Sequence, residues 1–474
     1  MDVENRDNDD ERFSDENDAL CGDDIVKIIS LDSTDTDEED RTQEQTLKNG
    51  AVADDDAGSF GEYDENLGST NSENAAQEGE IVIDDQSISR FEAHTSDVFT
   101  IDICGDLCCS GGQDDVAYLW CWRTGEILLK CDGHRDSVTF VRFNSSGTKL
   151  ATADMSGTIR VWTDFSRPTQ STTEPKPRLV VEFAECGDVE WLSWHGSSDI
   201  LLAGDRDGSV WMWLVAGSAA SCKVFTAGQL PCTAGCLLAG GQTLLAGYAD
   251  GTIRLWKLKT AETQLIPPTS QAPSPPTNPS TAQDSASSSF LAGSVTSVAR
   301  HQTQPVAAVG CETGVLRIVH VETAKCTLTM SLAAAPTRRN DADSMETATM
   351  DDADDQAADS IETLSFSPAK SPLLLAAGTV AGRLSIIDLS ADGLVRHDCR
   401  HPAGVVKCAF LDEQFVLSAC LDGTLRLWDV RDGQLVKTWT GHEGEILDFA
   451  FSTDENVLVS AAADRTCRVF ALQP

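Results

Sequence analysis

Positive charge is scarce in this chain of 474 residues, where 35 Lys and Arg stand against 76 Asp and Glu, a net charge of −41. So acidic a chain repels nucleic acid and anionic membrane surfaces and attracts basic proteins, and direct nucleic-acid binding is not expected. Long apolar runs are missing as well. No stretch of 18 apolar residues occurs, and the opening MDVENRDNDD has neither a basic flank nor an apolar core. No membrane span or secretory signal is expected, and the protein is placed in the cytoplasm, with the nucleus a second compartment. There is no CxxC pair, so a structural zinc site has no support. The 16 cysteines, among them Cys104, Cys108, Cys109, Cys121, Cys131, Cys420 and Cys467, are scattered through strand-like segments of a chain too long to need a disulfide framework. They read as reduced thiols packed as small apolar groups. A Gly-rich phosphate loop, G-x-S-x-G and H-E-x-x-H are all absent, and acidic runs such as DDADD lack the alternating ligands and glycine of a calcium loop. No catalytic residue, metal or cofactor is assigned.

The negative charge is unevenly spread. Residues 1–85 hold 29 Asp and Glu against 5 Lys and Arg, whereas the other 389 residues carry a net −17. The head therefore reads as a disordered acidic segment, interrupted by two short apolar runs that suit docking, DDIVKIISLD (23–32) and GEIVIDD (79–85). FSDEND and TDTDEED would suit an acid-directed kinase.

After the head, a unit of the form D-G-T-x-R-x-W recurs, seen best in LDGTLRLWDV (421–430): a tight turn leading into an alternating strand that ends on an aromatic residue. Its end positions are Trp120, Trp162, Trp213, Trp256, Val319, Ile387, Trp428 and Phe470, at separations of 42, 51, 43, 63, 68, 41 and 42 residues. A period near 42 thus repeats eight times and swells most at two places. The swellings are a Pro/Ser-rich stretch at about 265–290 and an acidic polar stretch at about 333–360, neither able to bury enough apolar surface to fold. They read as insertions in surface loops of a single domain spanning 86–474.

GH, then about 27 residues, then W-D at this period resembles the WD-repeat β-propellers, which implies an all-β, eight-bladed ring with four antiparallel strands per blade. His94, His134, His401 and His442 open four repeats, and in those four a hydroxyl stands four residues before the turn Asp: Ser110, Thr152, Ser418 and Ser460. The other four repeats have Ala203, Ala246, Val309 and Ala377 there and no opening His. A buried imidazole without its partner would cost about 1–3 kcal/mol, so the pair is kept or lost together. The resemblance implies a structural His, Ser/Thr, Asp, Trp network: His94, Ser110, Asp114 and Trp120; His134, Thr152 and Trp162, with Ser156 at the Asp position; His401, Ser418, Asp422 and Trp428; and His442, Ser460 and Asp464, with Phe470 for Trp. The chain also stops one strand short of a full last repeat. SISRFEAH (87–94) aligns with LVKTWTGH (435–442), so residues 87–92 are expected to pair beside the strand ending at Phe470 and close the ring.

The resemblance places the loops carrying the His and the turn Asp on one top face. The candidate partner-binding residues there are Asp97, Asp115, Asp136, Asp154, Asp188, Glu190, Trp191, Asp205, Glu443 and Glu445, partly offset by Arg135, Arg206 and Arg465. In GDVEWLSWHG (187–196), one of Trp191 and Trp194 is expected to pack inward in place of the absent His, leaving the other exposed to meet cationic side chains. GGQDDVAYLW, GHRDSV, ATADMSGTIRVW, GDVEWLSWH, GYADGTIRLW and GHEGEILDFA resemble the angio-associated migratory cell protein family, and the chain is similar to a fungal eight-bladed propeller that acts as a dedicated ribosomal-protein chaperone. The implied function is a monomeric escort chaperone for a basic large-subunit ribosomal protein. The rival is a signalling scaffold in cell-migration and small-GTPase pathways.

Overall fold

The computed structural model describes residues 84–165, 177–216, 219–268, 293–332 and 359–472. The acidic head up to residue 83, with the whole of its first apolar run, all but the last two residues of its second, its kinase-type sites and most of the two insertions, lies outside the described residues. Among those described, 32 strands form eight four-stranded antiparallel sheets, joined by tight turns and one 3-10 turn at Leu389–Ala391.

Each sheet is one blade of a ring. In blade 1 the strands run outward as β2 (Val98–Cys104), β3 (Leu107–Gly112), β4 (Ala117–Cys121) and β5 (Ile127–Cys131), here called strands a to d. The eight a strands each pack against the next one, and the last, β30 (Ile446–Ser452), returns to β2, so the ring is closed. The apolar core lies between blades. One cluster joins Ile101 and Trp120 of blade 1 to Val459 and Cys467 of blade 8, and another joins Leu119 and Cys131 of blade 1 to Leu150 and Trp162 of blade 2. Alternating apolar residues on both faces of every sheet dictate this arrangement, because a twisted sheet with two apolar faces must be sandwiched by its neighbours.

The last blade is completed by the first strand. β1 (Ser89–Phe91) pairs antiparallel with β32 (Cys467–Ala471), Ser89 opposite Val469 and Phe91 opposite Cys467. The Ile88 N–H donates to the Val469 carbonyl at 2.7 Å and the Gln86 N–H to that of Thr440 at 3.0 Å. Phe91 stacks on Trp120 with ring centroids 4.3 Å apart, and the buried Arg468 pairs with Asp85. The closing segment thereby satisfies the outer edge of β32, which would otherwise present unpaired backbone groups.

Candidate partner-binding face

The upper face is made by the turns between strands b and c and by the connections from one blade's strand d to the next blade's strand a. Buried hydrogen-bond chains hold these loops in place. In blade 1, Trp120 Nε1 donates to Ser110 Oγ at 3.3 Å, the hydroxyl lies 2.9 Å from His94 Nε2, and His94 Nδ1 meets Asp114 at 3.0 Å. Asp114 then accepts the Thr95 N–H, also at 3.0 Å. With Nδ1 protonated, each donor finds an acceptor along the chain from indole to carboxylate. Blade 8 has the same chain from His442 to Ser460 (2.7 Å) and Asp464 (2.9 Å), starting without an indole because Phe470 stands there. Burial lowers the His442 pKa, against the opposing pull of Asp464.

Blade 2 differs from the sequence expectation. The carboxylate that meets His134 Nδ1, at 3.1 Å, belongs to Asp154, the residue that ends strand b, and Ser156 donates its hydroxyl to that same Asp154 at 2.7 Å. His134 Nε2 lies 2.8 Å from Thr152, which receives Trp162 Nε1 at 3.0 Å. Burial pushes the Asp154 carboxyl up, but hydrogen bonds from His134, Ser156 and the backbone outweigh it and hold the pKa at about 2. Blade 1 has Gly112 at the corresponding place, where a Cβ would crowd His94 and Asp114. A carboxylate can thus enter from the strand end or from the turn, and the two blades use different routes.

Blade 7 departs too. His401 lies 2.8 Å from Ser418, which accepts Trp428 Nε1 at 3.0 Å, but Asp422 turns to Arg426 at 2.5 Å and to Thr424, leaving the buried His401 Nδ1 without a partner among the described residues. Burial first, then the Arg426 charge, lowers the His401 pKa to about 4.

The arginine of D-G-T-x-R-x-W has its own task. Arg254 donates to the Ala227 carbonyl at 3.0 Å, Arg317 to that of Pro267 at 2.6 Å and Arg160 to that of Asp132, each reaching the residue just after the preceding strand d. Blade 6 has Ser385 in register, and Arg383, two residues earlier, reaches the Leu332 carbonyl instead. These four arginines bind neighbouring blades together at the roots of the upper loops into blades 2, 4, 5 and 6, whereas Arg426 of blade 7 stays with Asp422 of its own blade.

Exposed Asp115, Asp136, Asp188, Glu443 and Glu445, with the half-buried Asp97, gather on the upper loops of blades 8, 1, 2 and 3. Asp188 is loosely paired with Arg206 at 3.5 Å, and Arg135 and Arg465 are exposed nearby. Asp250 and Glu312 are exposed on the b–c turns of blades 4 and 5, whereas the b–c turn of blade 6 and the connection into blade 7 are uncharged at Val380, Ala381, Pro402 and Ala403. A cavity of about 440 Å³ runs down the axis. Strand a carries a bulge at the same point in seven blades, as between Val98 and Thr100 or Val189 and Trp191. The bulged residues Phe99, Thr139, Glu190, Thr296, Glu362, Val406 and Leu447 line the cavity, with Thr233 of blade 4. Burial raises the Glu190 pKa, Arg206 pulling it back and Asp188 adding to the rise. Deeper down, Lys407 Nζ meets Asp448 at 2.6 Å, and Asp448 also accepts the Ile101 N–H at 3.0 Å, joining blades 7, 8 and 1.

The sequence of the repeats matches the family model "WD domain, G-beta repeat" over residues 85–121, 125–163, 178–214, 222–257, 394–429 and 433–470. The angio-associated migratory cell protein of Canis lupus familiaris is 35% identical over 395 residues, covering 82% of this chain and 80% of that protein. The chain belongs to the angio-associated migratory cell protein family of WD-repeat propellers. The ribosome assembly protein SQT1 of Saccharomyces cerevisiae is a more distant relative, 26% identical over 383 residues, covering 78% of this chain and 81% of that one. Among solved structures, Chaetomium thermophilum Sqt1 bound to the N-terminus of the ribosomal protein L10 superposes with a TM-score of 0.67 at 22% identity, covering 82% of this chain and 100% of that chain, a likeness of fold. The one stretch left unmatched between residues 257 and 394 holds the repeats ending at Val319 and Ile387, which have neither the opening His nor the final Trp.

Three of the candidate binding residues of this family member are not on the open face. Asp154 is fully buried in the blade 2 network, and Asp205, 1% exposed, accepts Trp211 Nε1 at 2.6 Å and the Ser209 N–H at 2.7 Å. Trp191 is 7% exposed and fills a slot between Gly204 and Gly235, at either of which a Cβ would overlap its ring. Its Nε1 donates to Cys232 Sγ at 3.3 Å. Trp194 is also buried and donates to the Arg142 carbonyl at 2.9 Å, so neither indole takes the place of the missing His. Trp211 does, since it reaches the carboxylate that a His would have met. Sequence reasoning named Glu190 but missed Glu362 and the other bulged residues of the channel. The signal was present: a β-branched residue, one variable residue, then the inward-facing residue recur as VFT, VTF, VEW, VTS, IET, VVK and ILD.

Proposed function

We propose that this protein is an escort chaperone that captures a basic segment of a large-subunit ribosomal protein on the upper face. The observation that carries this reading is the set of exposed carboxylates on the upper loops, most of them on blades 8, 1, 2 and 3, beside a channel mouth holding Glu190 and Glu362. Converging carboxylates of one sign attract cationic segments and speed their capture. In support, one relative is named for ribosome assembly and a structure of the same fold holds the N-terminus of ribosomal protein L10. The test is fluorescence anisotropy of the full chain with a labelled peptide of the cell's own L10 N-terminus. Affinity should fall by about tenfold or more from low to high salt, because opposite charges at an exposed face are screened within about 10 Å at 0.1 M. An affinity flat in salt, or no ribosomal protein in pull-downs from growing cells, refutes it. The higher identity to the angio-associated migratory cell protein supports a second reading, a scaffold whose partners need not be basic. Salt-independent capture of a non-ribosomal protein would favour it.

A further inference from the structure

The channel that opens on the upper face has two unlike sides. Each of the eight inner strands places one residue at the mouth where it starts. On blades 7, 8 and 1, consecutive round the closed ring, these are Val406, Leu447 and Phe99. On blades 2 to 6 they are polar: Glu190 and Glu362 on blades 3 and 6, with Thr139, Thr233 and Thr296 on the others. An apolar arc thus faces an arc of hydroxyls and two carboxylates. The hydroxyls of Thr233 and Thr296 donate to the carbonyls of Val295 at 2.5 Å and Ile361 at 2.6 Å, which leaves their lone pairs to accept from a guest. Thr139 Oγ1 is buried and has no hydrogen-bond partner among the described residues.

Charge below the mouth is already balanced. Lys407 Nζ is held by Asp448 and by the Phe449 carbonyl at 2.7 Å, and Arg142, which donates to the Val141 carbonyl at 2.7 Å, acts on Asp102 and Asp448. Two cations therefore stand against two carboxylates. At the mouth, neither Glu190 nor Glu362 forms an ion pair among the described residues. Arg206 acts on Glu190 from the upper loop of the same blade but is shared with Asp188, 3.5 Å away.

We propose that the channel mouth is a pocket for a single unbranched cationic side chain, lysine or arginine, sent down from a basic segment lying across the upper face. The aliphatic stem lies along Phe99, Leu447 and Val406, and the charged head meets Glu190, Glu362 and the threonine hydroxyls opposite. Long cationic side chains pack their methylenes on apolar surface and keep the head among polar groups, and the mouth is divided in the same way. Its volume of about 440 Å³ lies at the low end of the range for ligand sites. Carboxylates on the rim attract any cation, whereas the mouth also measures the stem. The pocket deepens the escort reading by naming what the guest must carry; it rests on the guest being basic and not on its being ribosomal.

The test is fluorescence anisotropy of the full chain with labelled, N-acetylated peptides that alternate glycine with one cationic residue: lysine, ornithine, diaminobutyrate or arginine. All are cationic at pH 7, so the rim attracts them equally. Affinity should fall from lysine to diaminobutyrate on the order of tenfold, the worth of two methylenes withdrawn from an apolar contact. E190Q/E362Q should weaken the lysine peptide by a similar factor and flatten that ranking with Tm unchanged, whereas D136K/E443K should weaken all four alike and keep it. A lysine peptide with a diazirine in the side chain should crosslink within 99–100, 406–407 or 447–448. Equal affinities across the series, a ranking unaltered in E190Q/E362Q, crosslinks confined to the loops at 135–136 and 443–445, or no binding by any peptide overturns the pocket. The ribosomal reading fails separately, when the series behaves as expected and the L10 N-terminal peptide does not bind.

Discussion

Replacing Phe91 by Ala tests the closure of the ring at its weakest point. Phe91 is 4% exposed, lies flat on Trp120 and is one of only three residues in β1. Truncating a buried Phe costs about 3–5 kcal/mol when the site does not collapse. Here collapse is blocked, because Trp120 is itself fully buried and tied to Ser110. At about 2.1 cal/mol/K per residue, unfolding a propeller of this size carries an entropy near 0.8 kcal/mol/K, so the lesion should lower Tm by about 4–6 °C. β1 should also release β32, so amide exchange at Cys467 and Val469, which pair with β1, should accelerate in F91A more than exchange in blades 3 to 6. Deleting residues 86–93 should cost more still, since it removes the ladder and separates Asp85 from Arg468. Deleting 1–80 should leave Tm unchanged. Differential scanning calorimetry beside exchange mass spectrometry reads all of these. If F91A melted within about 1 °C of wild type, or the 1–80 and 86–93 deletions melted alike, closure by β1 would not be what holds blade 8.

The buried His401, with a folded pKa near 4 against about 6.5 unfolded, contributes stability that is complete above pH 6.5 and is lost as pH falls toward 4. About 2 kcal/mol should be gone at pH 5, and H401Q should flatten the fall in Tm between pH 7 and 5; an equal fall in both proteins would refute it. Gly235→Ala should destabilise by about 1–3 kcal/mol by driving a methyl into the Trp191 ring, and a neutral result in urea unfolding would mean that the slot is wider than drawn. Arg317→Met, which strips the Gly251 and Pro267 carbonyls of their donor, should cost about 1–3 kcal/mol in the same assay; a variant as stable as wild type would deny the clasp. The double charge reversal D136K/E443K should weaken a basic peptide and lessen its salt dependence while leaving Tm unchanged; unaltered binding would move the capture site elsewhere.

The repeat itself was legible from a single chain, because a propeller is built from near neighbours in sequence and each blade writes its turn and its final aromatic residue locally. The end positions from Trp120 to Phe470 fall in register on strand c of eight blades, and the closing role of residues 87–92 followed from one alignment within the chain. The hydroxyl positions were readable for the same reason: Ser110, Thr152, Ser418 and Ser460 sit at a constant distance from the turn.

What the sequence could not decide was where a side chain goes once two blades meet. Asp154 and Asp114 look alike as letters near a turn, yet the carboxylate that reaches a histidine is set by whether the strand end offers a Cβ or, as at Gly112, leaves room. Asp422 was lost to Arg426, a competition between partners four residues apart that only distances resolve. Trp191 was drawn inside by glycines on two different strands, one of them in the next blade, and Asp205 by Trp211. The sequence determined the ring, its count and its closure, since these depend on periodic local patterning. Only the tertiary structure decided which carboxylates face water, because that is settled by packing and pairing across strands and blades that are not adjacent in the chain.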